Sequence, residues 1–207
     1  MRTRRYDSYE AYTAKQREKT IVRKHLFGAQ WNTKVRRFKA LFDHHLCNHN
    51  TVDHTQALCL GARHGEEVEA LNSLGWAAVG VDLVACPPLV QAGDFHALPF
   101  SESMFDLVFS NSVDHLLEPE KFATEIHRVL RPQGLVLLHL QIEREGDEWS
   151  SLKIEASSEV ISWFPGYKLL RDQPILRYGG GLDHCVLLKR PVALDNLVPV
   201  TAEGEKR

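Results

Sequence analysis

The 207 residues, 43% hydrophobic and 25% charged, suffice for one ordinary core and exclude a chain disordered throughout. No run nears the ~20 apolar residues of a bilayer span, no apolar stretch follows the basic start Met1–Tyr6, and Cys47, Cys59, Cys86 and Cys185 lack paired spacing, so no membrane span, secretory signal or disulfide framework is expected, and a cytoplasmic protein with buried free thiols is. The net charge of −2 conceals a division: residues 1–40 hold twelve Lys/Arg against three Asp/Glu, about +9, and the remainder thirteen against twenty-four, about −11.

Residues 8–27 have the pattern of a helix, with Tyr9, Tyr12, Ile21, Val22 and Leu26 at helical spacing and Gly28 at its end. A second helix follows, in which Trp31, Val35, Phe38, Phe42 and Leu46 line one face, while Lys34, Arg36, Arg37 and Lys39 fall largely outside it. These helices form an expected basic lid over residues 1–50, with Tyr9, Tyr12 and Trp31 as pocket walls. His44, His45, Cys47, His49 and His54 crowd the end of this segment. Their spacing matches no standard zinc pattern, so they read as a polar helix terminus and no metal is expected.

From residue 56 strands and helices alternate. Strands are expected at Gln56–Leu60, Ala77–Val84, Leu89–Ala92, Phe105–Ser110 and Leu135–Leu140, and helices at Glu66–Leu74 and Pro119–Leu130. A helix near Ser158–Phe164 precedes strands at Tyr167–Leu170 and Cys185–Leu188, joined through Gly179, Gly180 and Gly181 as a hairpin. Alternation of this kind implies an α/β fold, a Rossmann-like doubly wound sheet, here over residues 51–191 with a loose tail at 192–207.

Ligands of such sheets sit beyond the carboxyl ends of the strands. The first such loop runs Gly61-Ala62-Arg63-His64-Gly65 and opens a helix, and Asp82 ends the next strand 21 residues after Gly61, a spacing suited to ribose hydroxyls. Gly93-Asp94-Phe95-His96, Ser110-Asn111-Ser112-Val113-Asp114-His115 and Arg128-Val129-Leu130-Arg131-Pro132-Gln133-Gly134 follow in order.

Together these segments resemble the class I S-adenosylmethionine-dependent methyltransferases (type 11-like), best over residues 55–140, with a Gly-Ala-Arg-x-Gly first loop. The resemblance implies a seven-stranded sheet whose last strand is antiparallel, and S-adenosylmethionine as cofactor. It implies that Gly61 and Gly65 border the methionine part, that Asp82 binds ribose, and that Asp94 bonds the adenine amino group beside Phe95. It places Asn111 and Ser112 next to cofactor and substrate. Two residues depart from the family: Cys59 stands where an acid is usual, and Arg63 where a glycine is usual. Arg63 either pairs with the cofactor carboxylate or points to solvent.

His115, with Asp114, is the candidate for proton transfer, since imidazole titrates near neutral pH. The opposing reading is that His115 packs on the domain, because alignment alone carries much of methyl transfer. The acceptor is expected to be an anionic small molecule or glycan. A non-catalytic binding domain of the same fold and an RNA methyltransferase are the alternatives, and a nicotinamide-dependent oxidoreductase is disfavoured by the missing third glycine of the dinucleotide fingerprint.

Overall fold

The computed structural model describes residues 2–27, 30–47, 56–143, 145–175 and 182–192. A seven-stranded sheet is built from β2 (Gln56–Leu60), β3 (Ala77–Asp82), β4 (Val90–Ala92), β5 (Phe105–Ser110), β6 (Leu130–Leu140), β8 (Lys168–Pro174) and β9 (His184–Lys189). Its order is β4-β3-β2-β5-β6-β9-β8. The five strands from β4 to β6 are parallel; β9 runs antiparallel to both β6 and β8 and lies between them. The order reverses between β2 and β5, so the switch point lies above the loops that follow these two strands.

β2 is apolar and buried from Ala57 to Leu60 because both faces are covered there. On one face, Phe38, Phe42 and Leu46 of α2 (Trp31–Leu46) and Val68 and Leu71 of α3 (Glu66–Asn72) pack on Cys59, Phe109, Leu137 and Leu187. On the other, Phe122, Ile126 and Val129 of α4 (Pro119–Val129) and Val160 of α5 (Ser157–Ile161) pack on Leu58, Val108, Leu138 and Val186. The alternation of side chains along each strand assigns the two sets.

The segment expected as one lid divides in two. α2 belongs to the core layer. α1 (Tyr9–Phe27) lies outside both apolar clusters, across the C-terminal ends of the strands. Its inward face carries Tyr12, Gln16, Lys19 and Thr20, whereas Ile21 and Val22 are exposed, at 62% and 53%. The apolar spacing read through those two residues is therefore not its buried face. Two elements without sequence signal fasten α1's approach: β1 (Arg2–Thr3) pairs with β7 (Leu152–Lys153), and the Arg4 amide donates to the Ser151 carbonyl at 2.6 Å.

Boundaries shift where backbone pairing overrides composition. β6 begins at Leu130, because Leu130 pairs with Phe105 before the register shift that leads to Leu107 and Leu135. α3 ends at Asn72, where the Gly75 amide donates to the Asn72 carbonyl and the Trp76 amide to that of Leu71. The glycines of the expected hairpin turn, His49, His54 and most of the expected tail lie outside the described residues.

Candidate cofactor and acceptor site

The loop after β2 turns sharply. Gly61 has φ +71, and a Cβ there would stand 2.6 Å from the Ser112 Oγ, so the approach of the β2 and β5 loops requires glycine. Gly65 has φ +88 and would drive a Cβ to 2.8 Å from that of Leu89. Between them Arg63 adopts φ 48. Arginine thus holds a left-handed backbone that glycine would adopt freely, at a cost of about 1–2 kcal/mol.

The Asp82 carboxylate closes this loop. One oxygen accepts the Arg63 amide and the other the Val84 amide, each at 3.1 Å. Burial raises its pKa, and those amides with the Arg63 and His64 charges oppose the rise. Glu67, on the first turn of α3, is 3% exposed. Burial pushes its carboxyl up to about 8, helped by the charges of Glu66 and Asp82 and resisted by its own amide and Arg63. Its neighbour Glu66 is already engaged, accepting from Lys34 Nζ at 2.9 Å.

A cavity of about 640 Å³ opens above the switch point, a size suited to small molecules. Gly61, Arg63, Glu67, Asn111, Asp114 and His115 line it with Lys19, Lys34 and Arg37. Gln141, Asp147 and Ser150 enter from the segment after β6. A smaller cavity of about 40 Å³ beside it is bounded by Asp82, Phe95 and Ser112, and is roofed by Gln16, Lys19 and Thr20 of α1. The two cavities thus gather all but two of the site residues read from sequence.

Those two are Gly65, whose role is to shape the turn, and Asp94, which lines neither cavity. One Asp94 oxygen accepts the Tyr9 hydroxyl at 2.5 Å; the other accepts the His96 amide at 2.8 Å and lies 3.1 Å from His96 Nδ1. These bonds hold its carboxyl below the usual range against the opposing effect of burial. The adenine contact implied by resemblance is therefore taken, in this arrangement, by a tyrosine of α1. Trp31 lines neither cavity, whereas Tyr12 is buried and donates to the His115 carbonyl at 3.0 Å.

His115 is also engaged on both nitrogens. Nδ1 lies 3.2 Å from the Trp149 carbonyl, and Nε2 meets Lys19 Nζ. Donation by Nδ1–H to the carbonyl leaves the Nε2 lone pair to accept from the ammonium. Burial depresses the imidazole pKa, opposed by Asp114 and assisted by Lys19 and Arg63. Asp114 itself accepts from the Ser150 hydroxyl at 3.0 Å.

Residues 58–138 match the family model described as a methyltransferase domain. This stretch is similar to the methyltransferase domain family, and the sheet around it has the Rossmann-like fold of the solved structures below. The chain is similar to the Burkholderia thailandensis 1,6-didemethyltoxoflavin-N1-methyltransferase, at 19% identity and TM-score 0.68, covering 91% of this chain and 92% of that one. It is also similar to a SAM-dependent methyltransferase from Methanosarcina mazei, at 14% identity and TM-score 0.55, covering 71% and 97%. No curated protein sequence matches the chain.

Among the residues that line the larger cavity, sequence reasoning missed Glu67. Acids on a first helical turn ordinarily favour the helix dipole from solvent, so Glu66-Glu67 attracted no notice. A sharper signal was available: Val68 and Leu71 mark the buried face of α3, and Glu67 adjoins it.

Proposed function

We propose that the methyltransferase acts on a small polar acceptor carrying an anionic group, held in the larger cavity under α2. The observation that carries this is Arg37: it lines the cavity and is exposed, while its neighbour Lys34 is paired with Glu66. When bound, the cofactor supplies an electrophilic methyl group on a sulfonium. The donor set fits it: an ammonium calls for a buried carboxylate, a carboxylate for a guanidinium, and a ribose diol for a second carboxylate. Glu67, Arg63 and Asp82 meet these needs in turn, with Phe95 as an apolar wall for adenine and Asn111 and Ser112 at the border with the acceptor. Glu67 thereby replaces the acid missing at Cys59. Asp94 would reach the adenine only after Tyr9 lets go.

His115 serves here as a positioning residue. Its depressed pKa makes it a weak base, and Lys19 holds its Nε2. Holding both partners aligned and dry then accounts for most of the rate.

The test is calorimetric titration with S-adenosylhomocysteine at pH 7 in buffers of different ionisation enthalpy. Micromolar affinity is expected, about −8 kcal/mol. Glu67 is mostly protonated in the free protein, since pH 7 lies below its pKa of about 8. An ammonium beside it lowers that pKa, so binding releases close to one proton. Glu67→Gln removes the release and weakens binding about tenfold or more. Absence of binding at millimolar ligand sinks the site. Release that persists in Glu67→Gln sinks the role of Glu67. For the acceptor, formation of S-adenosylhomocysteine is followed with small carboxylates and phosphates against their neutral analogues. Turnover of the neutral set alone overturns the anionic reading.

A further inference from the structure

Away from this site, three residues distant in sequence meet inside the layer between the sheet and α2. His139 of β6 and Cys185 of β9 are cross-strand partners, so their side chains leave the same face of the sheet. The last turn of α2 brings His45 over them. One donor atom from each of the three lies within 4.8 Å of the other two, and His45 Nδ1 stands 3.7 Å from Cys185 Sγ. The residues are 2%, 0% and 0% exposed for His45, His139 and Cys185. His45 Nε2 has no hydrogen-bond partner among the described residues. The site differs from the histidine cluster seen in sequence: of its described members His44, His45 and Cys47, only His45 takes part, and His44 is exposed and faces Arg171.

The geometry points to a buried site for a soft monovalent cation, copper(I), held by His45, His139 and Cys185. Thiolate is a ligand of soft metals such as copper(I), and imidazole, a borderline ligand, suits copper as well. Bonds of about 2.0 Å to nitrogen and 2.3 Å to sulfur place three donors roughly 3.5 Å apart, so side-chain movements of about 1 Å close the site.

Charge selects the valence. A histidine ligates a metal through a neutral ring nitrogen, so both imidazoles enter as neutral ligands. On binding, the S–H bond breaks, the sulfur–metal bond forms and one proton leaves to solvent, with no change of oxidation state. A monovalent ion with one thiolate is then neutral, which apolar surroundings such as Phe42 and Phe109 tolerate. A divalent ion would leave a net positive charge there. Arg171, which reaches His44 beside His45 at 3.3 Å, would oppose it.

Copper(I) is titrated anaerobically into the full chain against a chromogenic copper(I) chelator, with the near-ultraviolet thiolate-to-copper band as a second readout. One ion per chain, a new band and release of one proton are expected. Cys185→Ser, close in shape, should weaken retention at least about 100-fold and abolish the band, while thermal unfolding reports that it still folds. Cys47→Ser, at an exposed cysteine, should change nothing. Loss of copper on Cys47→Ser, retention in Cys185→Ser, or no retention at all overturns the site. Displacement of copper(I) by equimolar zinc(II) overturns the choice of a monovalent ion.

Discussion

α1 and α2 are consecutive, both basic, and of similar length at 19 and 16 residues, yet different forces hold them. α2 is fastened by apolar burial: Phe42 is fully buried, stacked 5.9 Å from Phe38 and set edge-on 4.9 Å from Phe109. α1 is fastened by polar contacts, from Tyr9 to Asp94, Tyr12 to the His115 carbonyl, and Gln16 Nε2 to the Trp149 carbonyl at 2.8 Å. Burial in a packed layer is large and all-or-none, whereas each net hydrogen bond contributes about 0.5–1.5 kcal/mol and can be exchanged for water. The pair thus shows how one charged segment yields a structural layer and, beside it, a cover whose contacts are individually weak. The cover lies where a cofactor must enter.

The largest effect is expected from Phe42→Ala, which should destabilise the fold by roughly 3–5 kcal/mol in denaturant unfolding. A loss of under ~1 kcal/mol would mean that α2 is not part of the core. Tyr9→Phe should cost only about 1 kcal/mol of stability, since one hydroxyl is lost. By freeing Asp94 it should speed S-adenosylhomocysteine association about fivefold in stopped-flow measurements, the equivalent of that energy. If Tyr9→Phe instead destabilises as much as Phe42→Ala, α1 is core and not cover. The smallest effect should come from replacing Arg36 and Lys39, both exposed, by serine. Exposed charges contribute about 0–1 kcal/mol, so the melting temperature should hold nearly constant. A large drop would show that α2 is held by charge after all.

The sheet was legible because its signals are local. An apolar run such as Leu58-Cys59-Leu60 ending at a glycine, or Gly80-Val81-Asp82, marks a buried strand and the loop after it without any knowledge of its partners. The loop residues that border the cavities, from Gly61 to His115, were legible for the same reason, since each terminates an element. Glu67 was not: its meaning comes from which way α3 faces once packed. The engagement of Asp94 was equally hidden, because Tyr9 lies 85 positions away.

The strand-helix alternation, carried by period and punctuation within short windows, was determined by the sequence alone, and with it the class of fold and the end of the sheet where ligands gather. Tertiary structure decided what long-range packing controls. The order of strands placed β9 between β6 and β8 and so set Cys185 opposite His139. The docking of α2 brought His45 to them and buried Phe38 and Phe42. The path of α1 put Lys19 on His115 and Tyr9 on Asp94. A side chain's charge state and partners depend on neighbours across the whole chain, and those neighbours exist only after the layers have met.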